Sequence, residues 1–343
     1  MSANVVGIDI GATSVRAVEV KKAGKAKPTI VRQHEMPLPE GSVRRGEVIE
    51  ASAVTESIKR LWSTGKFSSK NVVIGMGGPR VLSRDLQMPR TPLAQIREAL
   101  PFHVQDMLPV PVEETLLDFY PISEAQDENG PVVRGLLVAA IKEAVTSNIS
   151  AVTGAGLTPV GVDLIPFALA RSLAPATVSG LSAVVSIGAN TTNVVIVLDG
   201  VPQFVRIIAA GSDDTTRALA SRLEISAPEA EAIKREMGLG AGVVPPERRL
   251  ALEIVYETVG ELLTSIRNTL TFYTNTKPGN PLQRILLSGG GAQMLGLGDA
   301  LTELASVPVE RPDALAGART DRGAANSGDG MLTAYSLVAG GTA

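Results

Sequence analysis

The apolar positions of this chain follow two rhythms, runs with period two and stretches with period near 3.6, and their order predicts the architecture. Strand signals occupy Val5–Ile10, Ser14–Val20 and Pro28–Met36, with Lys21–Lys27 as a basic turn, so the chain opens as an antiparallel meander. Val48–Thr64 then sets Val48, Ala51, Val54, Ile58, Leu61 and Trp62 at helical spacing and closes at Gly65. Asn71–Gly75 returns to strand and runs into Met76-Gly77-Gly78-Pro79. Strand, helix and strand in that order predict a mixed sheet covered by helices.

Residues 80–141 differ in character. Val81–Met88 alternates as a strand, and Leu93–Leu108 reads as a helix that Pro101 should kink or divide. Leu116–Ile122 and Leu136–Ile141 are further strands, joined by an acidic, polar stretch, Ser123–Pro131, expected to be a loop. This strand-helix-strand-strand unit has the size of an inserted subdomain. After it come a helix at Glu143–Gly156, a strand at Thr158–Asp163, a short helix at Phe167–Leu173 and a hinge at Pro175–Leu181.

The opening pattern then recurs. Val5–Val15, an apolar strand with a Gly-led turn of small residues, returns altered at Ala183–Thr192, with Gly188 in the place of Gly11. That interval is far too long for a solenoid repeat and implies two similar domains, each offering a loop of phosphate size. Beyond the second copy, Pro202–Ala209 extends the meander and Ser212–Leu223 reads as a helix capped by Ser212. Pro228–Met237 is a second helix, Gly238–Pro246 a loop, and Arg249–Asn275 a long helix. A strand at Arg284–Leu287 leads into Ser288-Gly289-Gly290-Gly291, and Leu295–Leu304 is helical. Pro312–Asp329 has the low hydrophobicity of a loop, and Met331–Val338 is a last apolar segment. The expected division is 1–79 with 142–180 as a first lobe, 80–141 as the insert, and 181–343 as a second lobe with 212–262 as its helical subdomain.

Composition narrows the class. The 343 residues leave room for about two domains. A hydrophobic content of 44% with 20% charge is ordinary for a globular protein. A net charge of −3 offers no basic field for nucleic acid or anionic lipid, and 3% aromatic residues argue against base stacking. The absence of cysteine excludes disulfides, thiolate catalysis and Cys-ligated zinc. His34 and His103, the only histidines, lie far apart in sequence. No apolar run approaches the roughly 20 residues that span a bilayer, and no secretory signal precedes the first strand, so a cytoplasmic protein without direct membrane insertion is expected.

Three loops and a helix carry the candidate chemistry. A glycine directly after a buried strand lets backbone N–H groups and Thr or Ser hydroxyls face a phosphate. Asp9 is the only charge in Val5–Ala12; such a carboxylate needs a cation, and hydrated Mg²⁺ beside a phosphate chain would supply one. In the third loop, three successive glycines would permit close approach to a flat group such as a purine. Glu231 and Lys234, three residues apart on one helix face, could hold ribose hydroxyls or form a solvated ion pair.

Taken in order, these features resemble the superfamily of actin, hexokinase and heat-shock chaperone ATPases. The insert, placed in the first half, resembles the relocated subdomain of FtsA. Several stretches narrow the resemblance to the PilM family of actin-like type IV pilus assembly proteins: Gly7–Gly11, Met107–Glu114, Val162–Arg171, Ala230–Lys234 and Ile285–Ala292. The resemblance implies an α/β, actin-like two-lobed ATPase fold, built from duplicated ribonuclease-H-like domains, with an FtsA-type inserted subdomain in the first lobe. It implies ATP or ADP with Mg²⁺ between the lobes. Gly11, Ala12, Thr13 and Ser14 would meet the phosphates with Asp9 near the metal, through water, and Gly188, Asn190, Thr191 and Thr192 would close from the other side. Glu231 and Lys234 would hold the ribose and Gly289, Gly290 and Gly291 the adenine. It further implies a partner, the short cytoplasmic N-terminal peptide of a PilN-like inner-membrane protein, received in a groove between the first lobe and 80–141. Other pilus assembly proteins, a peripheral position at the inner face of the membrane and homo-oligomers belong to the same expectation.

The chain departs from the superfamily at two places. Ser186 stands where the second phosphate motif usually begins with Asp, and Ile165 and Pro166 stand where a polar residue usually orients the attacking water. Phosphoryl transfer rests on positioning of metal and nucleophile, so ATP binding with slow or absent hydrolysis is expected. The alternatives are an FtsA-like division scaffold, against which the non-basic ending Ala334–Ala339 argues, and a small-molecule kinase of the hexokinase branch, which would need a catalytic carboxylate near Asp163.

Overall fold

The computed structural model describes residues 4–21, 28–128, 130–175, 179–240, 245–312, 315, 318–321 and 328–339. The basic turn expected at 22–27, the centre of the expected hinge (176–178) and parts of the expected loops (241–244, 322–327) lie outside them. Strands β1 (Val5–Ile10), β2 (Ser14–Lys21) and β3 (Thr29–Pro37) form the expected meander, with Ile10 opposite Val15 across the first turn. Two short strands, β4 (Val43–Arg44) and β5 (Glu47–Val48), then make a hairpin that the sequence pattern did not reveal. Val48 therefore belongs to that hairpin and not to the helix expected from it, because Gly46 at φ 79° reverses the chain before it. Helix α1 (Ala51–Gly65) buries Val54, Ile58 and Leu61, and β6 (Asn71–Met76) lies parallel to β1.

The insert comprises β7 (Val81–Pro89), α2 (Leu93–His103), β8 (Thr115–Asp127) and β9 (Gly130–Ile141), a separate antiparallel sheet of order β7-β9-β8. Its core joins Met88, Ile96, Leu100, Phe119 and Leu137. The acidic stretch Ser123–Pro131 is not a loop: Glu124 pairs with Val133 and Gln126 with Pro131, extending the hairpin. Much of this ribbon is solvated, so it carries no apolar alternation to mark it as strand. Helix α2 stops at His103, short of the expected Leu108, with Pro101 in its last turn.

The chain returns to the first sheet through α3 (Lys142–Gly154) and β10 (Thr158–Leu164), which runs parallel to β6, followed by α4 (Ile165–Leu173). The second copy repeats the plan with β11 (Leu181–Ile187), β12 (Thr192–Leu198), β13 (Val201–Ile208), α5 (Ser212–Leu223), α6 (Ala227–Met237), α7 (Arg249–Thr276), β14 (Leu282–Ser288), α8 (Leu297–Ala305) and β15 (Val309–Glu310). Its sheet has the order β13-β12-β11-β14-β15, with β14 parallel to β11 as β6 is to β1. Every residue of β11 is buried. Such a strand is read as a continuous apolar run, as Val184-Val185 and Ile187 are here.

The last segments leave the lobe to which 181–343 was assigned. Strand β16 (Arg319–Thr320) pairs parallel with β3, and α9 (Leu332–Ala339) packs against β1, β2, β6 and α4. Helix α9 is buried nearly all round, through Leu332, Ala334, Tyr335, Ser336, Leu337 and Val338. A helix of that kind needs apolar cover on two sides, and the slot between the first sheet and α4 supplies it. At Gly7 the helix backbone comes so close that a Cβ would lie 1.9 Å from the Ala334 carbonyl oxygen.

Substitution on either side of this contact tests it. Gly7→Ala forces α9 off its seat and should cost about 2–3 kcal/mol, in the range for overpacked cores. Leu337→Ala, which empties a fully buried site, should cost about 2–5 kcal/mol. Urea midpoints left unchanged by both substitutions would refute the docking of α9 on β1.

Candidate functional site

The two glycine turns have the same geometry. The Gly11 N–H donates to the Ser14 carbonyl at 3.0 Å, and the Gly188 N–H donates to the Thr191 carbonyl at 2.9 Å. A Cβ on either glycine would lie 3.0 Å from that same carbonyl. Gly11–Ser14 thus corresponds to Gly188–Thr191, each closing the hairpin between two consecutive strands. Thr192 falls outside the loop. It is fully buried, and its hydroxyl donates to the Ala210 carbonyl at 2.9 Å, so Thr191 and not Thr192 is the counterpart of Ser14.

In the first turn Ser14 is buried and its Oγ has no hydrogen-bond partner. A buried hydroxyl left without a partner is costly, and a ligand oxygen would satisfy it. Asp9 sits just before the turn. Burial pushes its carboxyl up from the ordinary value, against the pull of the Arg16 guanidinium, and Glu35 adds to the rise. Arg16 lies directly across from Asp9 in the β1–β2 register. It reaches Asp9 Oδ2 at 3.8 Å and Glu35 Oε1 at 2.8 Å. Its Nη1 would be 3.7 Å from a Cβ on Gly11, so a cation that sequence reasoning missed stands beside the first turn. The available signal was the register: a short turn after Ile10 puts Arg16 opposite Asp9.

The second turn is tied down by α5. Ser212 and Asp213 donate their N–H groups to the Gly188 and Ala189 carbonyls at 3.0 and 2.7 Å. The residue capping α5 is Gly211 rather than Ser212, its N–H donating to the Asp214 carboxylate at 2.8 Å. Ser186, seven per cent exposed, lies between Asn193 and Ser288 in the sheet and brings no carboxylate. Asn193, the counterpart of Arg16, is buried and its Oδ1 has no partner. Asp163 is bound in an ion pair to Arg171, and Ile165 packs beside Gly75 and Gly77.

The glycine-rich segment after β14 closes over the end of β11. Side chains at Gly289 or Gly291 would strike the Ile187 carbonyl at 2.4 Å or the Ile187 Cγ2 at 2.5 Å, whereas Gly290 faces open space. Two of the three glycines are thus there for packing, and Gly290 is the one turned outward. On α6, Glu231 and Lys234 do meet, but not as a solvated pair. Lys234 is buried, and its ammonium reaches Glu231 Oε2 at 2.5 Å, Thr216 Oγ1 at 2.7 Å and the Ser212 carbonyl at 3.1 Å. Burial raises the Glu231 pKa, yet the hydrogen bonds from Lys234, Thr216 and Arg235 outweigh it and hold the carboxyl below its ordinary value. Lys234 is thereby a strut between α6 and the start of α5. Glu231 Oε1 is bonded to the exposed Arg235 at 2.8 Å.

The second turn meets the first lobe directly, where the Arg45 N–H donates to Asn190 Oδ1 at 3.2 Å. A separate groove of about 1070 Å³ runs between the insert and the second lobe, with Leu82 and Ser83 on one wall and Phe204, Ile207 and Phe272 on the other. Towards the first lobe the insert is packed instead, Tyr120 against Phe167 with ring centroids 4.8 Å apart. Among the described residues no group of three or more His, Asp or Glu forms a metal site, and no helix is long and apolar enough to cross a membrane.

Comparison with known proteins places this arrangement. A structure of a PilM–PilN type IV pilus biogenesis complex contains a chain 27% identical to this one, covering 98% of each, with a TM-score of 0.85. The ethanolamine utilization protein EutJ of Carboxydothermus hydrogenoformans shares the fold at 15% identity and a TM-score of 0.59, covering 99% of this chain and 90% of its own. MreB5 of Spiroplasma citri, solved with AMPPNP, shares it at 12% identity and 0.53, covering 92% and 94%. The two lobes therefore form an actin-like fold, as the sequence led one to expect. Residues 7–339 match the family described as type IV pilus assembly protein PilM, and the chain belongs to that family.

Proposed function

We propose that the protein is an actin-like scaffold of type IV pilus assembly that holds ATP or ADP with Mg²⁺ between its lobes and binds a PilN-like partner. The observation that carries the nucleotide part is the pair of equivalent glycine turns, with the buried hydroxyl of Ser14 unpartnered in the first. Gly11–Ser14 and Arg16 would take phosphate oxygens from the first lobe, and Gly188, Asn190 and Thr191 from the second. Asp9 would hold Mg²⁺ through water, which answers the need of its buried carboxylate for a cation. Glu231 Oε1, the oxygen not bound by Lys234, would meet a ribose hydroxyl, and Gly290, which faces open space, would leave room for a base.

Such a site holds phosphates better than it breaks them. Ser186 and Asn193 replace charge with neutral hydroxyl and amide groups, Asp163 is bound to Arg171, and Ile165 cannot order a water. Hydrolysis needs both metal and nucleophile fixed. Membership of the family and the likeness to the PilM–PilN complex support the partner, taken as the N-terminal cytoplasmic peptide of a PilN-like protein seated along the insert, 80–141. That contact would place the protein at the inner face of the membrane.

Thermal unfolding with ATP or ADP, with and without Mg²⁺, and with the partner peptide tests the reading. Each ligand should raise the melting temperature, since anything that binds only the folded state stabilises it; failure of all of them would remove it. Phosphate release from saturating ATP should stay far below the ~1 s⁻¹ at the bottom of the ordinary enzyme range. A faster rate that Asp9→Ala abolishes would overturn the holding role. Asp9→Asn separates ligand binding from stability. A buried carboxyl with a raised pKa lowers stability as pH rises through the interval from its ordinary to its raised value. In chelator, Asp9→Asn should therefore melt about 2 °C or more above the wild type at neutral pH. That gain should vanish below the ordinary carboxylate range, and the stabilisation by Mg²⁺–ATP should be lost.

A further inference from the structure

The β4–β5 hairpin turns on a residue that its geometry does not favour. Arg44 pairs with Glu47, so Arg45 and Gly46 alone make the turn, at φ 51° and 79°. A tight hairpin turn with positive φ at both residues calls for Asn, Asp or Gly at the first of them. Gly46 suits its place, and Arg45 does not.

Among the described residues, positive φ outside glycine is confined to Arg45, Lys66, Asp199, Glu224 and Ser306. Lys66, Glu224 and Ser306 end α1, α5 and α8, where the left-handed conformation closes a last turn. Asp199 uses its side chain locally, accepting the Gly180 N–H at 2.7 Å. Arg45 does neither. Its side chain is exposed, and no carboxylate of the described residues pairs with it. Even the hairpin's own acid, Glu47, is taken by Arg80 at 2.6 Å. A strained residue whose side chain repays nothing within the fold points to work outside it.

The surroundings hold this turn against the second glycine loop. Asn148 of α3, which is buried, accepts the Val48 N–H at 3.0 Å and donates to the Gly46 carbonyl at 3.1 Å. Behind the tip, a Cβ on Gly78 would lie 2.3 Å from the Arg45 carbonyl oxygen. In front, the Arg45 N–H donates to Asn190 Oδ1 at 3.2 Å. That nitrogen is one bond from the Cα that carries the side chain, so the guanidinium has Gly188–Thr191 within its reach. The loop itself brings no charge. The other cations near the two turns are engaged, Arg16 by Asp9 and Glu35 and Lys234 by Glu231. Arg44 is exposed and unpaired as well, but it lies in β4, one residue further from the bond to Asn190.

We infer, on the proposed nucleotide binding, that Arg45 contacts the terminal phosphate of a nucleoside triphosphate and makes the site prefer the triphosphate to the diphosphate. In that reading the base and ribose lie on the second lobe, by Gly290 and Glu231. The terminal phosphate is the end of the ligand farthest from them, and the hairpin reaches it from the first lobe. A guanidinium offers paired N–H donors to two oxygens of one phosphate. Mg²⁺ neutralises only part of a triphosphate's charge, which leaves the outer oxygens for Arg45.

Calorimetric titration of the full chain with Mg²⁺–ATP and with Mg²⁺–ADP, at low salt, decides it. The wild type should bind ATP about fivefold or more tighter than ADP. Arg45→Gly should weaken ATP about tenfold and ADP by less than about threefold, bringing the two affinities together. Without ligand the same variant should melt at or above the wild-type temperature, since glycine adopts this turn freely. A purely structural role for Arg45 would instead lower that temperature and leave the ratio of affinities unaltered. Arg45→Asn, also suited to the turn, repeats the test if Arg45→Gly does not fold. Arg45→Lys, which keeps the charge without the fork, should restore only part of the preference. Arg44→Gln should leave the ratio within about twofold, as for an exposed charge without a partner. A wild type that binds ATP no tighter than ADP, or a ratio unchanged by Arg45→Gly and Arg45→Asn, would overturn the assignment while leaving the nucleotide site standing. A wild type that binds neither nucleotide would remove the site and the role of Arg45 with it.

Discussion

A strand buried on both faces has no surface of its own with which to meet a ligand, and this limit shapes the centre of the molecule. Every residue of β11 is covered, and β1 is nearly so. A charge in the middle of either would be stranded away from water. Whatever these strands present must therefore appear at their ends, in the short turn that leads into the next strand. Each turn is held by one backbone hydrogen bond from its glycine, 3.0 Å long in the first copy and 2.9 Å in the second. The surrounding helices are arranged to preserve that geometry: α5 donates to two carbonyls of the second turn, and Lys234 braces the start of α5 from behind.

The copies have kept the scaffold and divided the chemistry. The first retains a carboxylate and an opposed guanidinium, Asp9 and Arg16, with a buried acid whose pKa is driven upward. The second has a hydroxyl and an amide, Ser186 and Asn193, at the same two register positions. Neutral groups are cheaper to bury than ions, so the second copy has no charge at these two positions.

Residue order made much of this legible. Apolar runs such as Val5-Val6 with Ile8, or Ala183-Val184-Val185 with Ile187, mark buried strands, which is why β1, β6, β11, β14 and the long α7 stand where they were expected. The β4–β5 hairpin escaped notice because two-residue strands leave no periodicity to count. The ribbon at 123–131 escaped because solvated strands look like loops. Helix α9 was recognisable as apolar, but a segment apolar on all sides carries no mark of which sheet it will cover. Thr192 was counted with the loop and Arg16 was overlooked for a shared reason: a loop's limits and the residue facing its acid both follow from register, which cross-strand pairing sets and local composition does not.

The seat of α9 on β1 has a consequence for how the chain is made. Strand β1 is synthesised long before the helix that covers it, with Gly7 lying against Ala334 in the finished fold. Domains of a growing chain ordinarily fold as units from the N-terminal end, but here the first lobe must wait for α9 before its sheet is closed on that face. The second lobe, whose sheet packs on α5, α7 and α8 at one face and on α4 with Leu332 at the other, draws almost wholly on segments made before α9 and has little such wait. The lobe encoded later is thus the one that can be completed first, and the opening strand stays uncovered on one face until α9 has emerged.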